Sequence, residues 1–262
     1  MCSSDLIGEF DLSLGSVVGM ASAASVSVMA YHHWSTGAAI LFALLPAAVV
    51  GLANGIAVAF VRIPSFIATL AIGSIAGGIE LAIAKTSIFE GLKYDYIQIG
   101  LQRYGGISLR TIIAAGLTLV FLVILRTTVF GRYASAVGDN PAAARLTGVP
   151  VQRVRIIVFV LTGITAGIAA VLASSSAQQY YAGTDAGYLL PAYAAAFLGL
   201  SLGGGLRFNV IGTYLGVLLL GMVTTGLTIM NQPSWISSVV QGGVLLTAVA
   251  GIALRRRGAL GR

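Results

Sequence analysis

Residues 12–61 read LSLGSVVGMASAASVSVMAYHHWSTGAAILFALLPAAVVGLANGIAVAFV, a run without one charged side chain. Crossing a hydrocarbon core of about 30 Å takes roughly 20 apolar residues at 1.5 Å each. The run is therefore long enough for two crossings. Its polar interruption, Tyr31-His32-His33-Trp34-Ser35-Thr36-Gly37, marks where the chain turns. Spans over 12–30 and 38–61 follow.

Working outward, charges are also absent from 63–79, 111–125, 156–184, 186–206 and 208–254. These gaps predict further spans over 64–84, 107–125, 156–177, 187–203, 209–229 and 236–254, the last two separated at Asn231-Gln232-Pro233-Ser234. The expected fold is thus an all-α polytopic membrane protein of about eight transmembrane helices, forming a single transmembrane domain over 1–262. Arginine and lysine set its orientation, because they accumulate in cytoplasmic loops. With both termini cytoplasmic, the inner side receives Arg62, Arg126, Arg132, Arg145, Arg153, Arg155, Arg207, Arg255, Arg256, Arg257 and Arg262. The outer side receives only Lys85, Lys93, Arg103 and Arg110. Span 187–203 is short and carries Pro191; were it re-entrant, the Arg255–Arg257 cluster would emerge outside, against the rule.

Composition agrees. Of 262 residues 57% are hydrophobic, 34 are glycine and 9% are charged, where an ordinary soluble domain has about a quarter charged. A water-soluble globule is excluded, and so is a disordered chain, which needs low hydrophobicity. One cysteine and two adjacent histidines leave no disulfide framework and no metal site. The net charge of +7 belongs to the inner loops, so no nucleic-acid partner is expected; the partner of the apolar surface is membrane lipid. Glycine, alanine and serine are dense within the spans, as in AIGSIAGG from Ala71 to Gly78, and read as close helix packing or as the wall of a path.

The longest inner loop, 126–155, reads RTTVFGRYASAVGDNPAAARLTGVPVQRVR. Asn140 or Asp139 can cap a helix, Pro141 suits its first position, and Ala142 to Leu146 propagate it. Gly148 fits a left-handed stop and Pro150 forbids continuation. This two-turn helix is either a connector lying on the lipid surface or a docking element for a cytosolic partner.

The stretch Gly131 to Val149 resembles the cytoplasmic loop of ribose/xylose-type ABC importer permeases, GRY-x-x-A-(I/V)-G-x-N-x-x-A-A-R-L-(S/T)-G-(I/V). GEFDLSLGS, from Gly8 to Ser16, is similar to that family's G-x-x-DLS-x-GS, and PSFIATL, from Pro64 to Leu70, to its P-x-FI-x-TL block. The resemblance implies a permease subunit of the bacterial inner membrane, dimeric with a second permease subunit (identical or not). It further implies a periplasmic substrate-binding protein that delivers solute and a cytosolic ATP-binding subunit that drives import. The coupling residues it implies are Gly131, Arg132, Asn140, Ala143, Ala144, Arg145, Leu146 and Gly148, with Arg145 as the polar contact to the ATPase. The chain starts close to the DLS block, so the family's first two spans are expected to be missing and 1–7 to be an atypical start. The family's paired-glycine pattern is altered here at Gly199 to Arg207.

No G-x-x-x-x-G-K-[ST] occurs and no lysine lies in an inner loop, so no cofactor is expected on this chain; ATP is left to the partner subunit. Neither a catalytic constellation nor a metal cluster is readable, and the chain is expected to be a transport subunit rather than an enzyme. An uncharged sugar needs hydrogen-bonding groups along its path, and the candidates are Asp11, Ser13, Asn54, Ser65, Phe66, Thr69 and Glu80. An acid inside a membrane is a functional candidate by default. Yet Glu80 falls close to the outer end of its span and can reach water, and Asp11 can simply cap the helix after it. The alternatives are a permease for branched-chain amino acids or nucleosides and, in another class, an ion-coupled secondary transporter. The last would want a carboxylate or histidine relay that this sequence lacks.

Overall fold

The computed structural model describes residues 7–183, 186–202 and 208–260; of 186, 201, 202 and 252–260 it describes the backbone alone. The expectations placed on 1–6, on Gly203 to Arg207, on the Arg255–Arg257 side chains and on Arg262 lie outside the described residues.

Charge-free segments become helices because lipid offers backbone amides no partner except one another. In chain order these are α1 (Leu14–His32), α2 (Thr36–Ile56, continued by a π turn Ala57–Val61) and α3 (Ser65–Ala84). After a short amphipathic helix α4 (Tyr94–Leu101) and a small hairpin, β1 (Arg103–Tyr104) with β2 (Ile107–Ser108), comes α5 (Leu109–Thr127). Helices α6 (Val129–Asp139) and α7 (Pro141–Leu146) precede the long α8 (Val151–Ala177), and α9 (Ala186–Leu202), α10 (Val210–Ile229) and α11 (Ser234–Leu260) complete the order. Seven helices among the described residues are long and apolar enough to cross a membrane. The remaining expected span, the sixth in chain order, is α9, which has 17 residues, or about 25 Å of rise. The chain is an all-α, multi-pass membrane protein.

Helix α1 sits at the centre. It is apolar around its whole circumference and buried from Gly15 to Met29 on nearly every position, packed by α2, α3 and α8. It ends in a left-handed residue, His33 at φ 55°, whose N–H donates to Met29 O while Trp34 N–H donates to Val28 O. Glycines set the close approach between α2 and α8. A Cβ on Gly55 would lie 2.8 Å from Ile156 Cα, and one on Gly163 would run into the Ala47 carbonyl. A second packed group joins α9 to α10 and α11. No residue of α5 is buried, so this helix stands at the edge of the bundle.

Three details depart from the sequence reading. The outer segment 85–106 is folded rather than a plain exposed loop, with Tyr96 wholly buried and Ile88 bridged to Tyr180. The inner loop contains a second helix, α6, amphipathic with Gly131, Ala134 and Val137 inward. Span five begins at Val151 rather than 156 because Arg155 finds an ion-pair partner and need not leave the helix.

Gly163→Val should be destabilising by about 1–3 kcal/mol, since neither backbone can yield. It is expected to lower the aggregation midpoint of the detergent-purified protein. Gly78→Val, whose added side chain meets open space, should not.

Candidate functional site

Five of the seven expected path residues come together. The carboxylate of Asp11 accepts from Ser13 N–H at 3.0 Å and from Ser13 Oγ at 2.6 Å. Asn54 Nδ2, on α2, donates to Ser13 Oγ at 2.8 Å. On α3, Ser65 Oγ accepts from Phe10 N–H at 3.2 Å and Thr69 Oγ1 accepts from Leu12 N–H at 3.0 Å. Thus the extended segment ahead of α1 gives its free amides to α3, and Asp11 forms the turn that starts the helix. All five side chains are buried. Burial pushes the Asp11 carboxyl above its ordinary 3.8, against the two hydrogen bonds from Ser13. Asn54 Oδ1 has no hydrogen-bond partner among the described residues, although Asn54 is fully buried.

The other two path candidates lie elsewhere. Phe66 is 54% exposed on the outside of α3. Glu80 is eleven residues beyond Thr69, about 16 Å along the helix. It does not reach water, as its position near the span's end suggested: it is 1% exposed, and Tyr180 Oη donates to its Oε1 at 2.6 Å. Tyr180 is held there by the paired backbone bonds with Ile88, at 2.8 and 2.9 Å.

This outer end contains polar groups that the sequence did not single out. Tyr96 Oη lies 2.6 Å from Ser174 Oγ and 3.1 Å from Ser25 Oγ, joining α4, α8 and α1. Beside it a narrow cavity of about 60 Å³ is walled by Ser22, Ser174, Gln179, Tyr180, Tyr181 and Tyr188. The available signal was the crowding of Gln and Tyr at 178–181 after a charge-free span. At the inner end, Phe10 packs on Tyr193 and Phe197 of α9, with ring centroids 6.1 and 6.3 Å away, beside an apolar cavity of about 430 Å³.

The expected coupling loop is built as two helices rooted on α8. Thr128 caps α6 by accepting from Gly131 N–H at 3.3 Å. Asn140 caps α7, its Oδ1 accepting from Ala142 and Ala143 N–H at 3.0 and 3.1 Å, with Pro141 at the first position. Gly148 stops the helix at φ 83°, and Val149 N–H donates to Ala144 O. Of the eight residues assigned to coupling, Gly131 and Ala144 face inward, Ala144 against Ala134, Val137 and Val154. Arg132, Asn140, Ala143, Arg145, Leu146 and Gly148 are exposed, and Leu146 is 91% so. No group of three metal-ligating side chains occurs among the described residues.

A family model described as branched-chain amino acid transport system / permease component matches residues 5–249. The L-arabinose ABC transporter permease protein of Azospirillum brasilense is 35% identical over 245 residues, 93% of this chain and 71% of that protein. The ribose import permease protein of Escherichia coli is 33% identical over 251 residues, covering 93% and 77%. The autoinducer 2 import system permease protein of Yersinia pseudotuberculosis is 34% identical over 242 residues, covering 92% and 68%. No solved structure matches. With its capped basic-side loop and its bundle of apolar spans, the chain belongs to the family of branched-chain amino acid transport system permease components.

Proposed function

We propose that this chain is the membrane-spanning permease subunit of an ATP-driven, binding-protein-dependent importer for a monosaccharide such as ribose, xylose or arabinose. It sits in the bacterial inner membrane with both ends in the cytoplasm and with α4 and the hairpin on the periplasmic side. A second permease subunit completes the path, and a periplasmic binding protein delivers the sugar. The chain itself binds no ATP; a cytosolic ATP-binding subunit docks on α7.

The observation that carries this reading is α7 itself. A helix of six residues, capped at both ends, holds a leucine almost entirely in solvent at the basic end of the bundle. A side chain of that size contributes to stability only when something covers it, about 1.5–3 kcal/mol on full burial. Leu146 and Arg145 form the docking contact, with Arg132 and Ala143 beside them, while Gly131 and Ala144 seat the two helices on α8. Asp11, Ser13, Asn54, Ser65 and Thr69 line the inner part of the path and Glu80 the outer part, with Phe66 toward a neighbour. Nearly all are neutral donors or acceptors, which suits a polyhydroxylated solute. The family's description favours a second reading, a branched-chain amino acid. A zwitterion, however, wants opposite fixed charges, and the inner cluster holds one carboxylate and no cation. Uptake of labelled pentose against labelled leucine, in vesicles supplied with the cognate binding protein, separates the two.

Orientation is open to a direct test. In a Cys2→Ser background, Gly105→Cys should react with a membrane-impermeant maleimide in intact spheroplasts. Leu146→Cys should react only after permeabilisation. The reverse pattern overturns the orientation.

Coupling is tested at α7. Gly148→Val forces a β-branched residue to a positive φ, at a cost of about 1–3 kcal/mol confined to the loop. Leu146→Glu removes the apolar contact and adds a charge. Both variants should insert normally, lose co-purification with the ATP-binding subunit and lose uptake. Retained ATPase binding in both would reduce α7 to a connector.

A further inference from the structure

At the basic end of the bundle the segment ahead of α1, the turn after α2, α7 and the first turns of α8 enclose a cavity of about 290 Å³. Its polar wall is Glu9, Arg62, Ser65, Arg145 and Arg155. Three arginines and one carboxylate thus share its wall. Glu9 Oε1 accepts from Arg155 Nη2 at 2.7 Å, which leaves two positive charges in the wall without a counter-charge among the described residues. The ion pair does not satisfy Arg155 either: its Nε is buried and has no acceptor among the described residues. Ser65 Oγ already accepts from Phe10 N–H, so its own proton is available to give. Arg62 is fixed at the rim by a left-handed backbone, φ 63°, where the π turn ends.

A cavity walled by donors, with a buried donor lacking an acceptor, calls for an anion rather than a neutral ligand or a cation. Guanidinium groups match the oxygens of phosphate in paired hydrogen bonds, which are the strong ones. Depth agrees with that chemistry. Arg62 directly follows a span and Arg155 lies in the second turn of another, so the cavity is at headgroup level, where basic pockets between helices meet lipid phosphate. We propose that this cavity binds a phosphate oxyanion, supplied by an anionic phospholipid headgroup or by free phosphate, held by Arg155 and Arg62 and covered by Arg145 from α7. The site is independent of which solute the permease carries. Glu9 competes with the ligand for Arg155.

The full chain, purified in dodecylmaltoside, is dialysed against labelled orthophosphate. In parallel it is delipidated, incubated with phosphatidylglycerol or phosphatidylcholine, and the retained lipid is measured with and without excess orthophosphate. Saturable orthophosphate binding without retention of phosphatidylglycerol identifies free phosphate as the source. Selective retention of phosphatidylglycerol, displaced by orthophosphate, identifies the lipid. Arg62→Gln and Arg155→Gln should each weaken binding by about tenfold or more, and Glu9→Gln should tighten it several-fold. Arg153→Gln, an exposed charge on α8 outside the cavity, should leave it unchanged. Arg62 stands exposed at the rim, so its variant reports on binding even where Arg155→Gln fails to fold. The proposal is overturned if neither probe binds saturably. It is equally overturned if Arg62→Gln binds like the unsubstituted chain, or if Arg153→Gln loses as much as Arg62→Gln.

Discussion

The crossing of α2 and α8 is the contact on which the rest of the bundle depends. Lipid tails are as apolar as leucine, so helices gain little from hiding hydrophobic side chains against one another; close packing has to supply the attraction. Gly51 and Gly55 on α2 lie against the backbone of Phe159, Val160 and Ile156 on α8, and Gly163 on α8 lies against the backbone of Ala47 and Gly51. The groove left beside that pair is narrow, and the helix that fills it has to be slender. Helix α1, with alanine, serine and glycine through most of its middle, is that helix. Two of its buried hydroxyls cost little inside the bundle because carbonyls absorb them: Ser25 Oγ donates to Ala21 O at 3.1 Å, and Ser22 Oγ to Ala170 O at 3.2 Å, whereas Ser27 Oγ has no partner among the described residues. Close approach continues onto α3, where a Cβ on Gly73 would lie 3.0 Å from Ser13 Cα. The inner polar cluster is therefore positioned by small residues that take no part in it.

Two helices connect the ends of the molecule. Helix α3 begins in the inner cluster, with Ser65 and Thr69, and reaches the outer one at Glu80. Helix α8 begins under α6 and α7, where Val151, Val154 and Val158 seat both, and ends at Ser174 against Tyr96. An α-helix shortens or bends only where its own ladder is broken, and α8 has no proline within it to allow that. The Glu9–Arg155 pair ties the same turn of α8 to the segment ahead of α1, so both connecting helices feel a change at the basic end.

The spans were legible because exclusion of charge is a local signal that lipid enforces at each residue; helix ends fell within a few positions of the expected spans, the start of α8 and the end of α11 excepted. The caps of α7 were legible for the same reason, since Asn140, Pro141 and Gly148 act on backbone within three residues of themselves. What escaped was of two kinds. Helix α6 did carry its signal, small and apolar residues at 131, 134 and 137, but the segment was read as a motif rather than as a helix face. The outer cluster carried only the crowding of Gln and Tyr at 178–181, which names no partner. Tyr180 and Glu80 are 100 residues apart, Tyr96 and Ser174 are 78 apart, and nothing local to a tyrosine tells which carboxylate or hydroxyl the fold will bring to it. Glu80 was misjudged for that reason: distance from the span's end was readable, whereas the hairpin-like bridge that covers it was not.

The inner cluster divides its candidates by what remains unspent. Asp11 gives its acceptors to Ser13, Ser65 and Thr69 receive the amides of Phe10 and Leu12, and these bonds are all needed to bring the chain into α1. Asn54 differs. Its amide nitrogen is used by Ser13, but its carbonyl is buried without a partner, and an unsatisfied buried acceptor costs about 1–3 kcal/mol. Leucine or alanine would fill that position on α2 with no such penalty, as its neighbours Ala53, Gly55 and Ile56 do. A helix that keeps a carboxamide there keeps a buried acceptor that nothing among the described residues satisfies, and the four others in the cluster hold no such spare group.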